Sequence, residues 1–261
     1  MESDVRGTAT SVRRGSPTLS YTEAMIGEIA IATAAGVAGY TWAAMSPESQ
    51  LFGRTIVAGR DPNEFALTFD DGPNDGYTEL LLEVLAAHEV QATFFLIGKY
   101  VRQRPELARA IHAAGHRVGN HTMSHPWLLV ESPRRVREEL AGCSAALEDA
   151  LGEPVQLMRP PHGARRPDVL RAARELGLTP VLWNAMGFDW RPGMTAARIV
   201  EHLERGIARN RRRGRGSNLL LHDGGHVALG VDRSQSVEAA RMVLERYSPG
   251  TIRYVTVDAW A

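Results

Sequence analysis

The chain has 261 residues, with 30 Lys plus Arg against 30 Asp plus Glu, so its formal net charge is zero. A content of 44% hydrophobic and 23% charged residues excludes wholesale disorder, collagen-like repeats and a multi-span membrane protein. The neutral balance gives no whole-protein electrostatic reason to bind nucleic acid, and a single cysteine, Cys143, excludes an internal disulfide framework.

The first 20 or so residues are polar and irregular and read as a disordered leader. From Ile29 to Pro47 there is no charge, but alanines, glycines and threonines dilute the hydrophobicity. Arginines precede this stretch and the next basic residue after it is Arg54. That asymmetry favours a signal peptide or membrane anchor through residues 24–47, with the rest facing the periplasm or exterior. The alternative is an alanine-rich helix packed on the main domain. Residues 1–60 are thus expected to be a leader or anchor and residues 61–261 one domain.

From Glu64 onward short apolar runs alternate with amphipathic stretches. The runs Phe65–Phe69, Ala92–Ile97, His116–Gly119, Val155–Met158, Pro180–Trp183, Leu219–Leu221 and Ile252–Val257 read as strands. Pro133–Leu151 carries Val136, Leu140, Cys143, Leu147 and Leu151 at helical spacing. Ser132 can cap that helix, and Pro133 suits its first turn. Pro105, Pro167 and Thr195 mark further helix starts. Seven βα-type units in about 200 residues imply a parallel sheet with helices outside, closed as a distorted barrel of about seven strands.

Five polar clusters follow these strands. The first is Asp70-Asp71-Gly72-Pro73. Adjacent strand residues point to opposite faces, so a turn is needed to bring both carboxylates into one site. The second is His121-Thr122-Met123-Ser124-His125, where two imidazoles share a face if the segment coils helically. The third is Arg159-Pro160-Pro161-His162-Gly163, whose prolines and glycine can hold a backbone N–H rigidly for an oxyanion. The fourth is Asp189-Trp190 and the fifth Leu220-Leu221-His222-Asp223. In α/β barrels, loops at the carboxyl ends of strands build the active site, so five clusters on one rim point to catalysis.

With these motifs in this order, the chain from Glu64 to Ala261 resembles the polysaccharide deacetylases of the NodB-homology family, carbohydrate esterase family 4. The resemblance implies a distorted (β/α) barrel and metal-dependent hydrolysis of N-acetyl or O-acetyl groups on an acetylated glycan. It implies Asp70 as general base, Asp71, His121 and His125 as metal ligands, and His222 as general acid. Arg159 and Asp189 would orient the base and the acid. Trp190 and Leu220 would wall the acetyl pocket, and Pro161 and His162 would contact substrate, with the His162 N–H as oxyanion donor. Zinc suits the ligand set, as do cobalt, iron and manganese.

Two positions depart from the family pattern: Met186 where an acidic residue is common, and His162 where an aromatic is usual. The same chemistry could serve an amidase of small non-sugar amides, and an anchored glycan-binding protein without activity is a third reading. The run Arg209, Arg211, Arg212, Arg213 and Arg215 reads as a solvated helix end or as a site for an anionic polymer. Cys143 reads as core. The oligomeric state and the particular glycan are not legible.

Overall fold

The computed structural model describes residues 21–261. The expected leader, residues 1–20, lies outside the described residues. The apolar stretch forms helix α1 (Tyr21–Met45). No helix among the described residues is long and apolar enough to cross a membrane, so the spanning-anchor reading of residues 24–47 gains no support from the structure. The diluting alanines, glycines and threonines are the reason. The chain divides into two compact units between Thr41 and Trp42. The larger, Trp42–Ala261, holds every strand among the described residues.

Its elements alternate as the spacing predicts. They are β1 (Glu64–Gly72), α2 (Tyr77–Ala87), β2 (Thr93–Leu96), α3 (Gly98–Gln103), α4 (Pro105–Ala113), β3 (Arg117–Asn120) and α5 (Pro133–Leu151). They continue with β4 (Leu157–Met158), α6 (Pro167–Glu175), β5 (Thr179–Pro180), β6 (Ala185–Met186), α7 (Ala196–Arg212), β7 (Ser217–His222), α8 (Ser234–Arg246) and β8 (Arg253–Tyr254). Helix α5 has the predicted bounds. The Ser132 side chain accepts from Arg135 N at 3.2 Å, and Gly152 ends the helix with a left-handed φ of 77°.

All strand pairs are parallel, in the order β5-β4-β3-β2-β1-β7-β6, with β8 beside the start of β1. The sheet curls into a distorted barrel. No ladder joins β5 to β6. Ile56 bridges Val181 on that side, and Asn184 and Asn218 bond across β6 and β7, with Asn218 N donating to Asn184 Oδ1 at 2.9 Å. Strand β6 has no counterpart in the predicted runs, because its two residues lie between Asn184 and Gly187 with no apolar run of their own.

The period-two alternation of β1 decides which way the site faces. Phe65, Leu67 and Phe69 point outward into a core shared with Leu81 and Leu85 of α2, Leu147 of α5, Leu203 of α7 and Leu244 of α8. Ala66 points inward with Phe95, Leu157 and Val181. Asp70 follows the same inward parity. Cys143 is fully buried in the outer core, as expected. The arginine run is largely absorbed by the fold. Glu48 faces Arg209, Arg213 and Arg215 at 3.7, 3.4 and 2.8 Å, and Arg211 lies over the rings of Phe65 and Tyr247.

Candidate active site

Strict alternation would send Asp71 outward, away from Asp70. A register shift in the β1–β2 ladder between Asp70 and Gly72 prevents this. Asp71 takes φ 72°, so its carboxylate turns to the same side as its neighbour. Gly224 presses against this bulge. A Cβ there would stand 2.2 Å from Asp71 O, so only glycine fits.

His121 and His125 meet through a loop, not along a helix face as the spacing suggested. Thr122 and His125 have left-handed φ values of 67° and 62°, and the imidazole centroids are 4.9 Å apart. Among the described residues, Asp71, Thr122, His125, His162 and Phe188 make up five of the six non-glycine residues with positive φ. Such conformations persist where surrounding structure over-determines them, and they gather at functional sites.

What holds the histidine loop was not foreseen. Glu139, on the buried face of α5, accepts from Ser124 N and Ser124 Oγ, each at 2.7 Å. Arg135 pairs with it at 2.6 Å. The only signal in the sequence is an acidic residue inside the apolar stripe, between Val136 and Cys143. Asn120 also anchors the loop, donating to Leu140 O at 2.8 Å and accepting from Thr122 N at 2.8 Å. Glu139→Ala is expected to weaken metal affinity about 10- to 100-fold while His121, Asp71 and His125 remain. Calorimetric titration with zinc checks this, with Glu139→Gln as the milder comparison.

Asp71, His121 and His125 are all buried, with one ligand atom each lying within 4.8 Å of the others. His121 Nδ1 lies 2.8 Å from Arg159 O. A backbone carbonyl can only accept, so in neutral His121 the proton sits on Nδ1 and Nε2 carries a lone pair. That Nε2 is 3.4 Å from Asp71 Oδ1, and His125 Nε2 is 3.2 Å from the same oxygen. Asp71 Oδ1 is buried and has no hydrogen-bond partner. An orphaned anionic oxygen facing two imidazole nitrogens is the donor set of a divalent cation, and these residues fit one.

Burial, with His121 beside it, pushes His125 down to about 2, so its imidazole is neutral.

Asp70 and His222 lie level in the β1–β7 ladder. Asp70 Oδ1 accepts from Arg159 Nη1 at 2.7 Å, and the same guanidinium donates to Thr68 Oγ1 at 2.9 Å. Arg159 is fully buried beneath the site, its guanidinium 4.2 Å from the Phe95 ring centroid. The other oxygen, Asp70 Oδ2, faces His121 Nε2 at 3.8 Å. Across the site, His222 Nδ1 lies 2.8 Å from Asp189 Oδ1, and His222 N donates to Asp189 Oδ2 at 2.8 Å. Ser236 Oγ donates to the same Oδ2 at 2.7 Å. Burial alone would lower the pKa of His222. Asp189 more than offsets it and brings the imidazolium up to about 9.

The remaining predicted residues lie around this pair. Pro161 is buried and opens a tight turn with His162 and Gly163. In that turn the N–H groups of Gly163 and Ala164 donate to Pro160 O and Pro161 O. Burial, with His226 nearby, lowers His162 to about 4. Leu220 is buried beside Leu182 and Trp183, and Met186 pairs with it in register. Trp190 meets His222 edge-on at 5.0 Å and remains 43% exposed. His226, to which the sequence assigns no role, stacks on His125 at 4.7 Å. All five clusters therefore converge on one rim of the barrel. Two of them, the Asp70–Asp71 pair and His222, sit in the last residues of their strands and not beyond them.

The carboxyl-terminal rim of a parallel barrel thus carries an Asp70–Arg159 pair and a His222–Asp189 pair around an Asp–His–His group. Residues 58–181 match the family model for polysaccharide deacetylase. A chitooligosaccharide deacetylase of Sinorhizobium fredii is 42% identical over 160 residues, 60% of this chain and 71% of the relative. A peptidoglycan-N-acetylglucosamine deacetylase of Bacillus cereus is 36% identical over 196 residues, 74% of this chain and 85% of the relative. The solved structure of a family 4 acetyl xylan esterase from Clostridium thermocellum, in complex with a cobalt ion, aligns with a TM-score of 0.66 at 26% identity. That alignment covers 76% of this chain and 89% of the other. The chain belongs to the polysaccharide deacetylase family of carbohydrate esterases, hydrolases that act on the acetyl carbon–nitrogen bonds of amino sugars.

Proposed function

We propose that this enzyme removes the N-acetyl group from N-acetylglucosamine residues of an oligomeric glycan, using a divalent cation held by Asp71, His121 and His125. The observation that carries the reading is the buried, unpartnered Asp71 Oδ1 between two imidazole nitrogens, with Asp70 and His222 level beside it. The named activities of the two curated relatives support the sugar, and the cobalt ion in the acetyl xylan esterase supports a first-row metal. Zinc suits two imidazoles and a carboxylate, and cobalt, iron and manganese are accepted by the same donors. Bound there, such a cation would polarise the acetyl carbonyl and lower the pKa of a water toward about 7.

The side chains do the rest. Asp70, held by Arg159, takes the proton of the attacking water. The backbone N–H of His162, in its rigid turn, donates to the oxyanion that develops on the acetyl oxygen. His222 Nδ1–H is fixed on Asp189, so Nε2 faces the site and gives its proton to the leaving amine. Leu220 and Trp190 bound the acetyl methyl. One water is consumed, and acetate and a free amino sugar leave. The arginine asymmetry around residues 29–47 supports work outside the cytoplasm. Acetate release from N-acetylglucosamine oligomers tests the reading: release that disappears on chelation supports it, and a metal-loaded protein that releases none refutes it.

A further inference from the structure

Trp127 has no place in the chemistry above. It stands on the loop after the second metal histidine, 47% exposed, with one face of its indole stacked on His162 at 3.9 Å and 16°. His162 in turn meets His125 edge-on at 4.7 Å. The indole is therefore one ring away from a metal ligand. Nearly half of a large apolar side chain thus stays in water, which forgoes part of the stabilisation of burying it.

The loop around Trp127 is nonetheless tightly held. Leu128 is fully buried in a core with Val136, Leu140 and Val169. Arg166 donates to Leu129 O at 2.6 Å and also to Glu131 O. On the other side of the stack, a Cβ on Gly163 would stand 2.7 Å from the Trp183 ring, which fixes the turn that carries His162. The stack is thus pre-organised, with an open face beside the reacting centre. A pyranose ring presents a flat face of C–H groups, and an aromatic face held still matches it at little cost in ordering.

We infer that the open face of Trp127 is a stacking platform for the sugar next to the one that presents its acetyl group to the metal centre. It makes the enzyme prefer oligomers over short substrates. This rests on the proposed deacetylase reading. It also assigns a partner to His162, whose imidazole backs the indole where the family pattern usually has an aromatic.

The test compares kcat/KM for an N-acetylglucosamine pentamer and the monosaccharide in wild-type protein, Trp127→Ala and Trp127→Phe. The pentamer-to-monosaccharide ratio is expected to fall about tenfold in Trp127→Ala and to recover largely in Trp127→Phe, with zinc content unchanged. A ratio that does not move in Trp127→Ala overturns the platform. Binding is read separately by calorimetric titration of the intact pentamer into zinc-loaded Asp70→Asn protein with and without Trp127→Ala. About tenfold weaker binding supports the platform, and an equal Kd contradicts it. Wild-type protein that releases no acetate from the pentamer overturns the deacetylase reading, while the Kd comparison still decides the role of Trp127.

Discussion

Asp70→Asn is expected to lower kcat for acetate release by about 10²- to 10⁴-fold, the usual contribution of a positioned general base, while one cation per chain is still bound. The substitution preserves shape and removes only the capacity to take a proton. Metal binding survives because Asp70 is not among the three residues that converge as ligands. Its Oδ1 is engaged by Arg159 at 2.7 Å, and its Oδ2 stands 3.8 Å from His121 Nε2. A second effect follows from burial. Arg159 is fully buried, and removing its counter-charge leaves a cation unpaired in the interior, a loss of about 3–5 kcal/mol. The variant is therefore expected to melt earlier, and its kcat is to be read well below that transition. An Asp70→Asn protein that is folded, metal-loaded and fully active would remove Asp70 from the base role.

Asp189→Asn is expected to move the alkaline limb of the pH–rate profile toward acid by about one to three pH units. The direction follows from the charges. His222 must be protonated to give a proton to the leaving amine, so activity is lost as pH rises through its pKa. Burial alone lowers that pKa, and the Asp189 carboxylate overcomes burial to bring it up to about 9. A cation bound beside the site repels imidazolium, so in the loaded enzyme the limb falls below that value. Without that carboxylate the largest raising influence is gone, the smaller ones of Asp71 and Asp70 remain against burial and repulsion, and the limb moves down. The acidic limb, set by other groups, is expected to stay. The profile of kcat/KM across the neutral and alkaline range in the two proteins checks this. An unmoved alkaline limb would mean that His222 is not the acid.

Much of the fold and the site is legible in the amino-acid order, for identifiable physical reasons. Helix α5 repeats its apolar residues over about five turns between a serine cap and a glycine stop, and its bounds agree with the pattern. The five clusters are visible because barrel chemistry gathers at strand ends, and each follows a run of apolar residues. Short and tertiary features are not visible. Strand β6 is two residues, Ala185–Met186, set between Asn184 and Gly187 with no apolar run of its own. The co-facing of Asp70 and Asp71 depends on a bulge at a non-glycine residue. The two histidines come together because Glu139, on a helix well beyond His125, ties down the loop between them, and helical spacing plays no part. The apolar stretch around residues 29–47 is long and uncharged, yet its alanines and glycines dilute it, and no helix among the described residues is long and apolar enough to cross a membrane.

The most direct test of the central claim is a metal titration of stripped protein with acetate release followed in parallel on an N-acetylglucosamine oligomer. The expected result is no release from the stripped protein and full activity on adding one equivalent of zinc or cobalt per chain. Neither binding nor activity should return in Asp71→Asn or His121→Ala. Undiminished release from the metal-free protein, or tight stoichiometric binding that persists in both ligand variants, would contradict the assignment of the buried Asp71–His121–His125 group as the catalytic metal site.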